Sequence, residues 1–343
     1  MRHANIAIFV PHNGCPNQCS FCNQRTISGE QHQPTAHEVR NTLEEYERRS
    51  REAEGEDVQC ELAFFGGSFT AIEREYMCEL LQSAQPYIES GTINGIRCST
   101  RPDCIDEEVL GCLGRYGVTA IELGAQSMDD RVLRLNRRGH DAEAVRRAAR
   151  LIKERGFELG LQMMTGLYGD SDEGARYTAQ ELAALEPDTV RIYPTVVLEG
   201  TELAQLYKAG EYVPQSTEGA VELCAELIPF FEKKGIRVIR VGLHASEGVE
   251  SEQVAGAYHP ALRELCEGRI FLHRMLEMSE GAGEIIFAVN PRDISKALGQ
   301  KRCNIERLRE KGTAARIVQS EQVAVGDIAV VKAEADAADQ LKK

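Results

Sequence analysis

The sequence contains no apolar stretch long enough to span a bilayer and no N-terminal signal peptide. Near its start, the apolar run Ile6–Val10 is stopped by Pro11, without a long hydrophobic region or a small-residue cleavage site. We therefore interpret this run as a first β-strand. The missing membrane and export signals predict a cytoplasmic protein with no membrane partner.

Basic residues are in short supply. The 343 residues include 40 Lys and Arg against 54 Asp and Glu, a formal net charge of −14. This balance excludes a uniformly basic nucleic-acid binder, because phosphate contacts need clustered cations. It does not exclude a local basic patch, since the charge is unevenly distributed along the chain.

A regular disulfide framework is also missing. The 11 cysteines are odd in number and irregularly spaced. In a reducing compartment, clustered cysteines more often bind metal or do chemistry. Apart from one triplet, the other eight show no second close cluster, and most are expected to be small buried hydrophobic residues. Cys98 and Cys104 flank the end of a predicted strand, and whether one of them faces a substrate stays open.

Short apolar runs alternate with amphipathic segments through the first 241 residues. The candidate strands are Ile6–Val10, Leu62–Phe65, Ile96–Thr100, Thr119–Leu123, Leu159–Met164, Val190–Tyr193 and Arg237–Val241. The candidate helices are His37–Arg51, Glu73–Gln85, Glu107–Tyr116, Ala142–Arg155, Gly174–Leu185 and Glu218–Lys234. Strands that are apolar on both faces and alternate with helices predict an α/β fold, a parallel sheet wrapped into a full or partial (β/α) barrel. In such barrels the chemistry gathers at the carboxyl ends of the strands.

A cysteine triplet follows the first predicted strand. Cys15, Cys19 and Cys22 are spaced C-x3-C-x2-C in a loop that contains glycine and proline. Three thiolates cannot complete a four-ligand zinc site, but they can hold three irons of a four-iron cluster and leave the fourth open. The alternatives are a chance grouping of structural thiols and a zinc site completed by His12 or another residue.

This spacing, the aromatic Phe21 before the last cysteine, and Gly66-Gly67-Ser68 after the second strand resemble the radical S-adenosylmethionine (SAM) superfamily. The resemblance implies a 4Fe–4S cluster on the three cysteines, with the open iron chelating the methionine part of SAM. An electron then cleaves SAM and yields a 5′-deoxyadenosyl radical. It also implies that Gly66, Gly67 and Ser68 lie at the methionyl amino group, where glycines let the backbone approach closely.

Further blocks along residues 1–213 look like the catalytic subunit of Elongator. They are Thr100-Arg101-Pro102-Asp103, Glu122–Ser127, Asn136-Arg137-Arg138-Gly139-His140, Met163–Leu167 and Ile192–Thr195. This resemblance implies SAM contacts from Thr100, Gln126 and Ser127, action on the wobble uridine of transfer RNA, and a reductant such as a flavodoxin or ferredoxin. Taken singly, Arg101–Asp103 also fits a simple strand exit, and Gln126-Ser127 fits a helix N-cap.

Three differences from the Elongator subunit limit the comparison. That family usually has a longer gap between its first two cluster cysteines, and a lysine is frequent where this chain has Arg191. Nothing after Val241 shows the glycine-rich acyl-CoA loop of its acetyltransferase domain. We therefore expect the barrel chemistry without an acetyl-CoA step in this chain.

The C-terminal part predicts a small α+β module. Apolar runs at Glu284–Val289 and Ala314–Val318 flank a helical stretch from Pro291 to Arg309. Inside it, Gly299-Gln300-Lys301-Arg302 resembles the backbone-clamping loop of KH-type modules, with Arg302 in place of the second glycine. Residues 291–316 hold eight Lys and Arg against three Asp and Glu, so this segment carries +5 on an acidic protein. We expect Lys301 and Arg302 to bind RNA; the alternative is a solvated basic helix face.

The predicted domains are a radical SAM partial barrel (1–243), a connecting segment (244–280), the KH-like module (281–331) and a frayed tail (332–343). The favoured function is a radical SAM enzyme that modifies transfer RNA. Two alternatives stay open. One is a radical SAM enzyme for a small molecule such as a porphyrin precursor; the other is an RNA-binding or scaffold protein with a structural cluster.

Overall fold

The computed structural model describes residues 2–11, 15, 18–30, 32–52, 58–281 and 283–331. The chain divides into two compact units: residues 1–217 with 230–260, and residues 218–229 with 261–343. The predicted tail, 332–343, lies outside the described residues.

The first unit is built on a sheet of seven parallel strands in the order β1-β2-β3-β4-β5-β6-β8. The strands are β1 Arg2–Val10, β2 Val58–Gly66, β3 Gly95–Thr100, β4 Val118–Gln126, β5 Glu158–Thr165, β6 Thr189–Pro194 and β8 Arg237–Val241. All seven contain a strand predicted from the sequence. A separate antiparallel pair joins β7 Val196–Leu198 to β9 Gln253–Gly256, and the sequence did not predict it.

The sheet curls into a partial barrel. β2 and β6 are separated by three strands, which in a flat sheet would place them about 19 Å apart. Yet the Arg191 guanidinium of β6 lies 5.1 Å from the ring centroid of Phe65 on β2. Only a strongly curved sheet brings these two side chains together across its concave face, and the predicted α/β partial barrel is confirmed.

Helices follow most strands, and several of them pack against the sheet through apolar stripes. They are α1 Gln24–Ser28, α2 Ala36–Glu52, α3 Arg74–Ser83, α4 Gln85–Glu89, α5 Glu107–Arg115, α6 Asp130–Leu135, α7 Ala142–Glu154, α8 Asp172–Ala184, α9 Glu202–Lys208, α10 Thr217–Glu232 and α11 Glu247–Glu252. Side chains fix several starting points: Asp106, Asp141 and Ser171 each accept a hydrogen bond from a backbone N–H in the first turn of α5, α7 and α8. Helix α7 then buries Val145, Ala148 and Ile152 at helical spacing.

The second unit combines Glu218–Pro229 of α10 with α12 Leu262–Met278, α13 Ile294–Leu298, α14 Cys303–Glu310 and the strands β10 Glu284–Val289, β11 Ala314–Gln319 and β12 Ile328–Val331. β10 is central, parallel to β11 and antiparallel to β12. The helices pack Phe271, Met275 and Leu308 around Phe287 of β10. This is an α+β arrangement in which a helix-loop-helix joins two strands.

The segment predicted as a connection contains regular structure. Residues 244–260 cluster with the sheet unit and include α11 and β9, whereas α12 belongs to the second unit. The domain boundaries proposed from the sequence stay a prediction. Among the described residues, every helix is too short or too polar to cross a membrane.

Candidate active site

A cavity of about 450 Å³ opens at the carboxyl ends of the parallel strands. Strands β2 to β5 and the loops after β1 to β4 contribute its lining, as expected for barrel enzymes. The lining residues are Cys15, Gln18, Cys19, Phe21, Cys22, Gly66, Gly67, Ser99, Thr100, Arg101, Gly124, Gln126, Arg138 and Gln162. All three cysteines of the triplet therefore lie beside four of the six residues predicted to contact SAM.

None of the three cysteines forms a disulfide bond, and their exposure differs. Cys15 is exposed, Cys22 is half-buried and Cys19 is buried. Although Cys15 is exposed, the protein atoms around its sulfur displace part of the water and raise its pKa, and a charge on Cys19 would raise it further. Among the described residues, no three His, Cys, Asp or Glu side chains are grouped as a single metal ion would require. His12, the suggested zinc ligand, lies outside those residues.

Gly66 is required by the backbone where β1 and β2 end. Its φ is +111°, a region that residues with side chains rarely adopt, and a Cβ there would lie 2.9 Å from the Val10 carbonyl oxygen. The next residue, Gly67, donates its N–H to the same oxygen at 2.9 Å. The two glycines hold the first two strand ends together and present bare backbone to the cavity.

Ser68 and Thr100 occupy different positions around this backbone. Ser68 is fully buried, and its hydroxyl lies 2.8 Å from Thr100 Oγ1 and accepts the Arg101 N–H at 3.2 Å. Thr100 also contacts Thr70 Oγ1 at 2.6 Å and lines the cavity. Ser68 thus fixes the loop from beneath, and its predicted contact with SAM stays a prediction.

Of Gln126 and Ser127, only the first lines the cavity. Gln126 has a φ of +66° and lines the cavity, and its side-chain oxygen is buried without a hydrogen-bond partner. Ser127 is fully buried and accepts the Asp129 N–H at 3.1 Å, which orders the start of α6. The amide of Gln126 is therefore available to a ligand, and the Ser127 hydroxyl supports the turn behind it.

Arg138 brings positive charge to the cysteine loop. One guanidinium nitrogen donates to Cys19 Sγ at 3.2 Å, and another donates to the Gly124 carbonyl at 2.6 Å. Its Nε is buried without a partner. Nearby, Arg101 binds both oxygens of Asp103 at 3.0 Å. The sequence blocks contained both arginines without revealing their roles, because their partners are distant in sequence.

Below the cavity the barrel interior is charged. Glu122 is 1% exposed and accepts two hydrogen bonds from Arg191, at 2.6 and 2.8 Å. It also accepts one from the Gln162 amide at 2.9 Å, and Arg97 lies 3.6 Å away. Gly160 makes room for this carboxylate, since a Cβ there would lie 2.7 Å from Glu122 Cγ. Burial by itself lowers the pKa of Arg191, and the negative charge of Glu122 raises it. The net effect is an increase in the pKa.

Comparison with known protein families agrees with this geometry. The radical SAM superfamily profile matches residues 9–182, which is more than half of the 343 residues. This chain belongs to the radical SAM superfamily. A second profile, the radical SAM C-terminal domain, matches residues 187–271.

Relatives within the superfamily confirm the resemblance to Elongator. The chain is 33% identical over 183 residues to the tRNA uridine(34) acetyltransferase of Methanocaldococcus infernus, covering 48% of this chain and 34% of that protein. It is 31% identical over 232 residues to Elongator complex protein 3 of Homo sapiens, covering 61% and 41%. The structure of the archaeal Methanocaldococcus infernus Elp3 with an N-terminal deletion matches with a TM-score of 0.62 at 25% identity, covering 81% of this chain and 63% of that one. The chain spans about a third to two fifths of the length of the two curated relatives.

Radical SAM enzymes use a 4Fe–4S cluster and SAM, and the donor set of this chain fits both. A four-iron cluster takes each thiolate on a different iron, so three cysteines outside any disulfide around one cavity suit it without converging on one point. Space beside Gly66 and Gly67, and the unpartnered oxygen of Gln126, provide for a second, polar ligand.

Lys301 and Arg302 lie in the second unit, within the loop between α13 and α14. Both are exposed, and neither has an ion-pair partner among the described residues. Their φ values are +53° and +65°, so Arg302 adopts the left-handed conformation that a glycine would favour at this position of the loop. Behind the loop, the buried Asn304 amide donates to the carbonyl oxygens of Gly268 at 2.9 Å and Lys296 at 3.1 Å. The loop is therefore held firmly with two free cations at its tip.

Proposed function

We propose that this chain is a radical SAM enzyme that modifies a uridine of transfer RNA, with the wobble position as the expected site. The identity of 33% to a tRNA uridine(34) acetyltransferase carries the proposal. The identity of 31% to human Elongator complex protein 3 supports it. Because the chain covers only 34% of the first relative, acetyl transfer is not part of the proposal.

In this proposal Cys15, Cys19 and Cys22 hold the cluster, and Gly66 and Gly67 line the space for SAM. When bound, the cluster supplies the electron that cleaves SAM reductively. The residues around it provide position and charge: the glycines leave room for close approach, and Arg138 places a cation on the Cys19 sulfur. We infer that a flavodoxin or ferredoxin delivers the electron in the cytoplasm.

Gln162 offers a specific contact to the substrate base. Its amide nitrogen donates to Glu122 at 2.9 Å and to Ser99 at 3.3 Å. An ionised carboxylate accepts hydrogen bonds and cannot donate them. The group of Gln162 that faces Glu122 is therefore the amide nitrogen. The side-chain oxygen of Gln162, Oε1, is then able to accept a hydrogen bond from a ligand in the cavity. The N3–H of uracil is a donor of this kind.

The second unit supports RNA binding through Lys301 and Arg302. Unpaired cations at the tip of a rigid loop suit phosphate, because binding releases counterions without first breaking an ion pair. Two other cations of the segment are already paired: Lys296 lies 3.1 Å from Asp293, and Arg307 lies 2.8 Å from Glu218. Lys301 and Arg302 differ from these two residues because their charges are not already neutralised by a carboxylate in the part of the chain that the structure describes.

Anaerobic turnover with bulk transfer RNA tests the proposal. Reconstituted protein is reduced in the presence of SAM and transfer RNA, and the RNA is then digested and its nucleosides are weighed by mass spectrometry. We expect 5′-deoxyadenosine together with a uridine of altered mass. Formation of 5′-deoxyadenosine with unaltered RNA would favour a small-molecule substrate such as a porphyrin precursor. Failure to bind SAM at all would favour a scaffold with a structural cluster.

A further inference from the structure

Two cysteines outside the cavity lie unexpectedly close together. The sulfur of Cys78 in α3 is 3.7 Å from that of Cys112 in α5, and both thiols are free. Cys78 is half-buried, whereas Cys112 is 3% exposed. The sequence did not suggest this pair, because the two residues are 34 positions apart and neither belongs to a motif.

We propose that Cys78 and Cys112 form a reversible thiol-oxidation site at which a small-molecule disulfide creates an intramolecular disulfide bond. A disulfide needs the sulfurs about 2.05 Å apart. The observed separation therefore has to close by less than 2 Å, which side-chain rotation and a small helix adjustment supply. The inference does not depend on the proposed substrate.

The reaction proceeds by two exchanges. The Cys78 thiol loses its proton and attacks one sulfur of glutathione disulfide, which forms a mixed disulfide and releases one glutathione thiolate. The Cys112 thiol then loses its proton and attacks the Cys78 sulfur, which forms the protein disulfide and releases the second thiolate. The two thiolates take up the two protons. Cys78 and Cys112 are oxidised by two electrons, and glutathione disulfide is reduced.

Exposure sets the order of attack. Cys78 is the more accessible residue of the pair, so we expect it to meet the oxidant first and Cys112 to resolve the mixed disulfide. Burial raises the pKa of the Cys78 thiol, and the neighbouring Cys112 raises it further. The first step is accordingly slower at neutral pH than attack by an exposed thiol of ordinary pKa.

The bond would join two helices that begin behind the cavity wall. Helix α3 follows the loop that carries Gly66 and Gly67, and α5 follows the loop after Thr100. The two loops already meet where Thr70 Oγ1 donates to the Cys104 carbonyl at 2.6 Å. Oxidation would therefore add a covalent tie between the second and third strand-helix connections of the active-site wall.

A second pair of cysteines provides an internal control. In the other unit, the Cys224 thiol lies within hydrogen-bonding reach of Cys266, and both residues are 0% exposed. The two thiols of this pair also interact, but neither residue is accessible to an oxidant. Proximity alone predicts oxidation of both pairs, whereas our proposal predicts oxidation of Cys78 and Cys112 alone in the folded protein.

The experiment treats anaerobic, cluster-loaded protein with glutathione buffers of rising disulfide content. Free thiols are then blocked with N-ethylmaleimide, and peptides are mapped by mass spectrometry. We expect the Cys78–Cys112 disulfide to form at least about tenfold faster than a Cys224–Cys266 disulfide, since access governs susceptibility. Denaturation before treatment should abolish that preference. Equal rates for the two pairs in folded protein would overturn the proposal.

Two serine variants test the order of attack. Cys112→Ser should stop at a glutathione adduct on Cys78, because the resolving thiol is gone. Cys78→Ser should leave Cys112 unmodified over the same period. Thermal unfolding of each variant checks that it remains folded. The reverse pattern of adducts, or no adduct on Cys78 in folded Cys112→Ser protein, would also contradict the site.

Discussion

Arg138 is the side chain through which the barrel acts most directly on the cysteine loop. It is 7% exposed and donates to the Cys19 sulfur at 3.2 Å. A cation at that distance stabilises negative charge on the sulfur and on any group bound to it, because the dielectric is low in a buried site. The residue next to it, Arg137, is exposed and paired with Glu202 at 2.6 Å.

We predict that Arg138→Met lowers the midpoint potential of the cluster. Reduction adds negative charge, which the guanidinium stabilises. A hydrogen bond to a charged group contributes about 1.5 kcal/mol, which corresponds to a shift on the order of 60 mV for one electron. Arg137→Met is the matched control and should leave the potential nearly unchanged. Redox titration followed by electron paramagnetic resonance measures both, and equal potentials in the two variants would contradict this role for Arg138.

His140 gives the molecule a defined response to acid. Burial and, to a smaller extent, the nearby Arg138 charge lower its pKa from 6.5 to about 4. The folded protein therefore binds fewer protons than the unfolded chain between these pH values. The free energy of unfolding consequently falls as pH decreases from 6.5 towards 4.

His140→Gln should weaken this acid-side loss of stability. His32→Gln is the control, since His32 is exposed and its hydrogen bond to Glu38 raises its pKa, which has the opposite sign. Chemical unfolding at a series of pH values measures the slopes. If the His140 variant keeps the wild-type slope throughout this interval, the buried neutral imidazole is not its source.

At the scale of elements, the Glu122 network joins the strands that carry the cavity. Glu122 lies on β4, and its partners Arg191 and Gln162 lie on β6 and β5. Removing one partner from a buried ion pair leaves the other charge uncompensated. We expect Glu122→Gln to lower the free energy of unfolding by about 3 kcal/mol or more.

An exposed ion pair provides the comparison for that variant. Glu107 pairs with Arg155, and both side chains are about half exposed. Glu107→Gln should cost less than about 1 kcal/mol, because water screens the pair. Urea unfolding measures the free energy of unfolding of the two variants. If both variants lose a similar amount, Glu122 contributes no more to stability than an exposed ion pair does.

The loop between α13 and α14 is the element expected to contact RNA. Replacing Lys301 and Arg302 with Glu should weaken transfer RNA binding, and lower the slope of log affinity against log salt by about 2 for two lost phosphate contacts. SAM cleavage without RNA should be nearly unchanged. Lys233→Glu with Lys234→Glu makes the same charge change at exposed positions elsewhere. Matching affinities and slopes for the two double variants would identify the loop as an ordinary solvated face.

The sequence predicted those elements whose signal is local. Every strand of the parallel sheet was found, because each contains a short, mainly apolar run that is buried on both faces, although a charged residue interrupts that run in β3 and in β4. The pair β7 and β9 was missed, since strands of three and four residues have no readable period. β12 was missed because most of it is exposed.

The residues of the site also divide into those with a local sequence signal and those that depend on distant partners. Cys15, Cys19 and Cys22 were predicted from spacing, and Gly66 from its place after a strand. Arg138 and Glu122 depend on partners 119 and 69 positions away, and only the curled sheet brings them together. The proximity of Cys78 and Cys112 likewise arises from the packing of two helices.

At the scale of the whole molecule, we expect the cysteine triplet and the strand-end cavity to act as one catalytic centre. The superfamily establishes the cofactors, and the cavity places the three thiols beside the residues expected to bind SAM. The role of these particular residues is the central claim. A variant with Cys15, Cys19 and Cys22 all changed to Ala removes the ligands, while the other eight cysteines stay in place.

The most direct test measures iron, sulfide and 5′-deoxyadenosine in anaerobically reconstituted wild-type and triple Cys→Ala proteins. We predict about four irons per wild-type chain, with 5′-deoxyadenosine and methionine formed from SAM on reduction. The variant should have neither cluster iron nor SAM cleavage, while circular dichroism shows the same fold. Full iron occupancy in the variant, zinc in place of iron in the wild type, or SAM cleavage without the three cysteines would contradict the account.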